Sequence, residues 1–137
     1  MTKKRKIVFH LNNLSQGGAE RVVTTLANYF AGKEYQVYIA TEETVEREYA
    51  IDKRIWRVHV GLTDRQEKGS RAAKFLYRIK NLTKFLKKEH PDVLIAFARK
   101  ANYRALMATA FFKIPVIVSV RTDPYLCYNS IADKLLI

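Results

Sequence analysis

Short apolar segments alternate with longer amphipathic segments along the chain. Residues 7–11 are apolar on both faces, as a central parallel strand is, and lead through a polar loop into a helix from about Ala19. The same pattern predicts strands at residues 36–40, 55–60, 93–97 and 115–120, helices at residues 70–89 and 101–112, and the start of a helix at residues 129–137. This alternation predicts an α/β fold with a mostly parallel sheet, helices on both faces and a strand order of roughly 3-2-1-4.

The connection after the first strand contains two adjacent glycines, Gly17 and Gly18. Glycine lets the backbone come close to a bound group, and the N–H groups at a helix start suit an anion such as phosphate. The loop therefore indicates a phosphorylated ligand. A tight connection without a ligand is the alternative, because the sequence has neither the GxGxxG pattern nor the lysine of a P-loop.

The string SQGGAER, placed after a strand and opening a helix, resembles the first loop of the GT-B glycosyltransferases of family four, which build bacterial surface polysaccharides. The resemblance covers nearly all 137 residues but only the first, acceptor-side domain of such enzymes. It implies one Rossmann-like domain over residues 1–137, incomplete and without the C-terminal donor-binding domain. An exposed apolar edge and a tendency to associate, or to pair with the missing domain, are then expected.

The resemblance implies a glycosyltransferase that moves a sugar from a nucleotide-sugar donor to a polysaccharide or lipid-linked acceptor. It implies no cofactor and no obligatory metal, and little or no activity for this chain alone. The donor and acceptor contacts that it implies are Gly17, Gly18, Glu20, Arg21, Arg99, Asn102 and Arg121.

Two of the expected site regions follow the fourth and fifth strands. In the enzymes that this chain resembles, the loop at the position of ARKAN faces the cleft between two Rossmann-like domains. In this chain that loop contains Arg99 and Asn102. Many family members carry a histidine where this chain has Arg121, so Arg121 and Asp123 are the catalytic candidates. The alternative for Asp123 is a structural role as the cap of an Asp-Pro turn.

The segment 41–48 contains four glutamates and is predicted to be a loop or an irregular edge. Glu42 or Glu43 lies at about the distance from the glycines at which a carboxylate holds a ribose. Without GxGxxG, the favoured interpretation is that these carboxylates face solvent. His59 is interpreted as a surface or edge residue.

Charge and the longest helix indicate an anionic partner. The chain has 25 Lys and Arg against 13 Asp and Glu, a formal net charge of +12. Helix 70–89 sets an apolar stripe opposite a basic stripe, which suits either an anionic inner-membrane surface or simply a solvated face. A basic nucleic-acid-binding or polyanion-binding module is the alternative function, although no RNP-like motif or helix-turn-helix spacing is present.

Cysteine content and hydropathy favour a cytoplasmic protein, peripheral at most on the inner membrane face. Cys127 is the single cysteine, so no internal disulfide can form. No run of about 20 apolar residues is present. His10, His59 and His90 are scattered along the chain, and no metal-ligand spacing is found.

Overall fold

The structure, a computed structural model, describes residues 3–121. These residues form strands and helices in alternation, as predicted. The elements are β1 Lys6–Leu11, α1 Gly18–Ala31, β2 Gln36–Thr41, β3 Trp56–His59, α2 Asp64–Glu67, α3 Arg71–Glu89, β4 Val93–Phe97, α4 Arg99–Ala108 and β5 Val116–Ser119. The predicted helix at 129–137 lies outside the described residues.

The five strands form one sheet of order β3-β2-β1-β4-β5, and every pairing is parallel. The predicted order 3-2-1-4 is therefore confirmed, with β5 added beyond β4. Since the strands are parallel, all of them end at the same edge of the sheet, which we call the carboxyl edge. Ligands of open α/β sheets bind beyond this edge, beside the point where the strand order reverses, here at β1.

Side chains on both faces of the sheet are buried under helices. On one face Phe9 and Ile39 pack with Val23 and Ala27 of α1. On the other face Val8, Leu82 and Leu86 belong to one buried cluster with Leu94 and Ala105, which places α3 and α4 there. The predicted helices on both faces are thus present, and β1 is enclosed because it lies at the centre of the sheet.

Helix α3 has nearly its predicted bounds, but its apolar stripe is only partly buried. Leu82 and Leu86 are fully enclosed, whereas Phe75 is 46% and Leu76 is 64% exposed. Arg78, one turn after Phe75, contacts Glu42 just beyond the end of β2. The first turns of α3 therefore extend past the carboxyl edge of the sheet that residues 3–121 form.

Two connections differ from the prediction. The polar connection 61–69 contains a short helix, α2, which begins at a capping box: the Gln66 N–H donates to Thr63 Oγ1 at 3.3 Å, and the Thr63 N–H donates to Gln66 Oε1 at 3.0 Å. Helix α4 begins at Arg99, so most of the segment ARKAN is helical and its prediction as a loop is wrong. The helix ends at Ala108, before the predicted limit at residue 112.

Strand β5 forms one margin of the described sheet and is largely exposed. Ile117 is 55% exposed, and Val118 and Val120 are exposed as well. Within residues 3–121, β5 pairs with β4 alone. The predicted exposed apolar edge is present in this part of the chain.

No helix among residues 3–121 combines the length and the apolar character that a membrane crossing requires.

Candidate functional site

The carboxyl edge brings together the predicted site residues that the structure describes. Gly17 and Gly18 follow β1, Arg99 and Asn102 follow β4, and Arg121 follows β5. Because β1, β4 and β5 are neighbours in the sheet, these three groups lie along one stretch of the carboxyl edge. Asp123 lies outside the described residues, so its catalytic role stays a prediction.

The glycine loop, residues 12–17, ends at the first turn of α1. Gly17 is the N-cap in an extended conformation (φ −95°, ψ 178°), and it has no side chain that could cap the first amides of the helix. The Gly17 N–H donates to the Ser15 carbonyl at 2.8 Å, and the Ser15 N–H donates to Asn13 Oδ1 at 3.0 Å. The loop is therefore a compact turn that presents the amino end of α1.

The two glycines have different surroundings. A Cβ on Gly17 would collide with Glu20 Oε2, whereas a Cβ on Gly18 would meet nothing within 4 Å. Glu20 folds back over the loop, and Ser15 Oγ donates to its Oε1 at 3.5 Å. A carboxylate at this position interacts favourably with the positive end of the helix dipole. Gly17 makes room for Glu20, while Gly18 keeps the backbone open to the outside, with Arg21 exposed beside it.

The residues after β4 are fixed by the start of α4. Ala98, the N-cap, has a φ of 76°, a left-handed backbone that strains a residue with a Cβ. The Arg99 guanidinium lies 6.0 Å from the Tyr103 ring, within reach of a cation–π contact. Asn102 is buried, and its Nδ2 donates to the Ser119 carbonyl at 3.1 Å, so it joins α4 to the end of β5. Contact of Arg99 and Asn102 with a ligand stays a prediction.

A buried polar network that the sequence analysis missed lies beneath this edge. His10 on β1 is fully buried; its Nδ1 lies 3.0 Å from the Ala40 carbonyl, and Arg104 Nε donates to its Nε2 at 3.2 Å. Arginine only donates, so Nε2 must be the acceptor and Nδ1 must carry the proton. Burial, and then the charge of Arg104, lowers the His10 pKa to about 3. His10 is therefore neutral.

Glu42 joins this network from the end of β2. Arg104 Nε lies 2.9 Å from Glu42 Oε1, and Arg78 Nε lies 3.6 Å from Oε2. Burial raises the Glu42 pKa, while Arg104 and Arg78 oppose that shift. The interpretation of Glu42 as solvent-facing is wrong, since its side chain pairs with two arginines inside the domain. A signal was present in the sequence: a lone histidine in an apolar strand and a lone arginine in an Ala-rich helix segment.

The other glutamates of segment 41–48 divide into two groups. Glu43 and Glu46 are exposed, as predicted, although Asn12 Nδ2 donates to Glu43 Oε2 at 3.1 Å. Glu48 is held by Arg57, and its side chain is mostly buried, so the solvent-facing interpretation is wrong for Glu48 too. His59 is an exposed residue at the end of the edge strand β3, as predicted.

No cluster of three or more His, Cys, Asp or Glu side chains suited to a metal ion occurs between residues 3 and 121. The expectation that no metal is required stays a prediction.

The fold and the site together define the class of the domain: a Rossmann-like α/β domain whose candidate ligand contacts follow the carboxyl ends of parallel strands. The chain belongs to Glycosyltransferase Family 4, because the model of that family matches residues 16–135. The resemblance seen in SQGGAER is therefore confirmed. Membership favours sugar transfer over the alternative of a nucleic-acid-binding module.

One curated relative comes from Campylobacter jejuni and is named GalNAc-alpha-(1->4)-GalNAc-alpha-(1->3)-diNAcBac-PP-undecaprenol alpha-1,4-N-acetyl-D-galactosaminyltransferase. The chain is 32% identical to it over 121 residues, which cover 86% of this chain and 33% of the relative. The chain thus spans about a third of that relative's length.

Solved structures with a similar fold include sucrose-phosphate synthase from Thermosynechococcus elongatus, with a TM-score of 0.67, 11% identity, and coverage of 97% of this chain and 39% of that one. A second is WaaG, a glycosyltransferase involved in lipopolysaccharide biosynthesis, with a TM-score of 0.57, 14% identity, and coverage of 93% and 40%. At these identities the likeness shows the fold alone, and the predicted fold class is confirmed.

Proposed function

We propose that this chain is the acceptor-side domain of a glycosyltransferase that moves a sugar from a nucleotide-sugar donor to a polysaccharide or lipid-linked acceptor of the cell envelope. Family membership supports the reaction class. The main observation in support of a ligand site is the open backbone at Gly18, where α1 begins at the carboxyl edge of the sheet. A diphosphate group, which both a nucleotide sugar and a lipid-linked acceptor contain, suits such a position.

In this reaction the acceptor oxygen forms a bond to the anomeric carbon of the donor sugar and its hydroxyl proton is released. The bond from that carbon to the donor phosphate breaks, and the nucleoside diphosphate leaves. The contribution of this domain is to bind and orient the anionic group beside the reacting hydroxyl. The Gly18 amide at the start of α1 would meet its oxygens, while the Gly17 N–H stays bonded to the Ser15 carbonyl. Arg99 and Arg121 supply positive charge along the same edge. Arginine can bind a phosphate through two parallel hydrogen bonds.

The acceptor class is proposed from the relative and from the surface of α3. The name of the relative describes a PP-undecaprenol acceptor, which combines a diphosphate with a lipid. Helix α3 exposes Phe75 and Leu76 beyond the sheet and carries exposed lysines on later turns, at positions 80, 84, 87 and 88. Apolar and basic side chains together suit the anionic surface in which such a lipid lies.

The loop assignment is tested by titrating the labelled chain with inorganic pyrophosphate and following its backbone amide signals by NMR. We expect saturable shifts at Gly17 and Gly18. In Gly18→Ala the affinity should fall by about tenfold, or about 1.4 kcal/mol, because the new methyl group stands where the ligand approaches. Its stability should hardly change, since that methyl group meets no protein atom within 4 Å.

Gly32→Ala is the matched control, because the same substitution is made at the other end of α1, where the nearest atom to a Cβ is at an ordinary 3.4 Å. It should leave pyrophosphate affinity unchanged. Shifts confined to the lysines of α3, or equal affinity in Gly18→Ala and the wild type, would overturn the loop assignment. A short RNA that shifts the loop amides and competes with pyrophosphate at physiological salt would favour the nucleic-acid alternative.

A further inference from the structure

The glycine loop is held from outside by the connection between β2 and β3. The Asn12 carbonyl accepts from the N–H groups of Glu42 at 3.0 Å and Glu43 at 2.9 Å. Further along, the Tyr49 N–H donates to the Leu14 carbonyl at 3.1 Å, and Ser15 forms an isolated antiparallel bridge with Glu48. The segment 42–49 thus runs alongside the loop and contacts it at both ends.

That segment is in turn tied to the sheet by Arg57 on β3. Arg57 Nη1 donates to Glu48 Oε2 at 2.7 Å, and Nη2 donates to Glu48 Oε1 at 2.9 Å, which is the two-pronged geometry of a strong ion pair. The same guanidinium reaches Thr41 Oγ1 at 3.1 Å and the Glu43 carbonyl at 3.3 Å. One arginine therefore contacts the last residue of β2 and both ends of the segment.

Glu48 contributes to both sides of this arrangement. Its carboxylate accepts from Arg57 and from the Val45 N–H at 3.2 Å, while its backbone bridges to Ser15. Ser15 then accepts the Gly17 N–H at 2.8 Å. A continuous series of contacts therefore leads from a strand of the sheet, through an ion pair and a backbone bridge, to the first glycine of the loop.

We propose that Glu48 and Arg57 are a positioning pair that sets the conformation of the glycine loop for its ligand. Neither residue has to touch the ligand. The inference rests on the proposed function of the loop and adds to it the residues that hold the loop ready. A binding loop that is ordered before the ligand arrives loses less conformational entropy on binding, so its affinity is higher.

The chain contains a matched control pair. Arg54 and Asp52 form an ion pair of the same two-pronged kind, with Nε to Oδ1 at 2.9 Å and Nη2 to Oδ2 at 2.8 Å. It lies just before β3 and is more exposed than the pair formed by Glu48 and Arg57. Asp52→Asn therefore removes a comparable ion pair close in sequence while leaving the loop supports intact.

The experiment compares Glu48→Gln with Asp52→Asn by amide hydrogen exchange and by pyrophosphate titration. In Glu48→Gln we expect exchange at Tyr49 and Gly17 to rise by about tenfold and pyrophosphate affinity to fall by a similar factor. Exchange in the strands β1 and β4 should stay as in the wild type. Asp52→Asn should leave both the loop exchange and the affinity unchanged.

A merely structural role predicts a different result: exchange rises throughout the domain in Glu48→Gln, and affinity per folded molecule stays constant. That result, or loop exchange equal in the two variants, would overturn the inference. Arg57→Lys keeps the positive charge but cannot form two parallel hydrogen bonds to Glu48, so its effects on loop exchange and affinity should be intermediate. This variant replaces Glu48→Gln in the experiment if Glu48→Gln does not fold. Hydrogen exchange of the wild type gives a further test. If segment 42–49 and the glycine loop open together, the Tyr49 and Gly17 amides should have the same opening free energy.

The two proposals fail separately. If pyrophosphate does not bind at the loop of the wild type, the proposed function of the loop is wrong, whatever the exchange data show. If pyrophosphate binds there but Glu48→Gln changes neither loop exchange nor affinity, the loop is a ligand site and the positioning role is wrong.

Discussion

At the scale of single residues, the burial of His10 should make the domain less stable in mild acid. Its folded-state pKa is lowered from 6.5 to about 3, whereas in the unfolded chain the ring titrates normally. Below about pH 6.5 the unfolded state therefore binds a proton that the folded state does not, and stability falls as the pH falls toward 3. We expect a loss of about 1.4 kcal/mol per pH unit across this window.

The measurement is urea unfolding of the wild type and of His10→Asn between about pH 7 and pH 5. Glu42 titrates in the opposite sense, because burial raises its pKa, so the informative quantity is the difference between the two proteins. The wild type should lose stability more steeply than the variant. Parallel curves would show that His10 is not held neutral by its enclosure and by Arg104.

Residue-level roles in segment 41–48 could not be assigned from the sequence. Glu42 and Glu43 are adjacent, yet one is buried between two arginines and the other is exposed. The difference depends on Arg78 and Arg104, which are distant in the chain and come together only when α3 and α4 pack on the sheet. Spacing from the glycines suggested a ribose contact as one option, but solvent-facing carboxylates were the favoured interpretation, and neither option describes the buried pairing of Glu42.

At the scale of elements, α3 is expected to provide the membrane-facing surface. Phe75, 46% exposed beyond the carboxyl edge, should enter the interface of vesicles that contain phosphatidylglycerol. Phe75→Ser should weaken vesicle binding by about tenfold, since burying such a side chain contributes roughly 1.5–3 kcal/mol. Co-sedimentation with these vesicles at physiological salt measures the effect.

Phe111→Ser is the control for this experiment. Phe111 is 97% exposed but follows α4, at the opposite end of the helix layer from Phe75. Its replacement should leave vesicle binding unchanged. If both variants bind like the wild type, and binding disappears with added salt, the attraction comes from the basic residues alone and the apolar end of α3 has no part in it.

The elements themselves were largely predictable, and the errors have local causes. Strong apolar periodicity gave α3 and the five strands. The start of α4 was missed because the chain turns into the helix at Ala98, which has a φ of 76°. Alanine in a sequence does not indicate such a backbone conformation. The exposure of Phe75 and Leu76 was missed because periodicity shows the side of a helix but not whether a sheet lies beneath it.

At the scale of the whole molecule, the open edge at β5 should govern self-association. Among residues 3–121 the outer margin of β5 has no partner strand, and Ile117 is 55% exposed there. Exposed apolar side chains at such a margin favour pairing with another copy. Ile117→Lys should shift sedimentation equilibrium toward the monomer, because a charged side chain on an edge opposes strand pairing. Phe111→Lys adds the same charge away from the strand and should leave the equilibrium unchanged. If the two variants reduce association equally, added positive charge accounts for the effect and β5 is not the contact. If the wild type is monomeric at all concentrations, the edge at β5 does not mediate association.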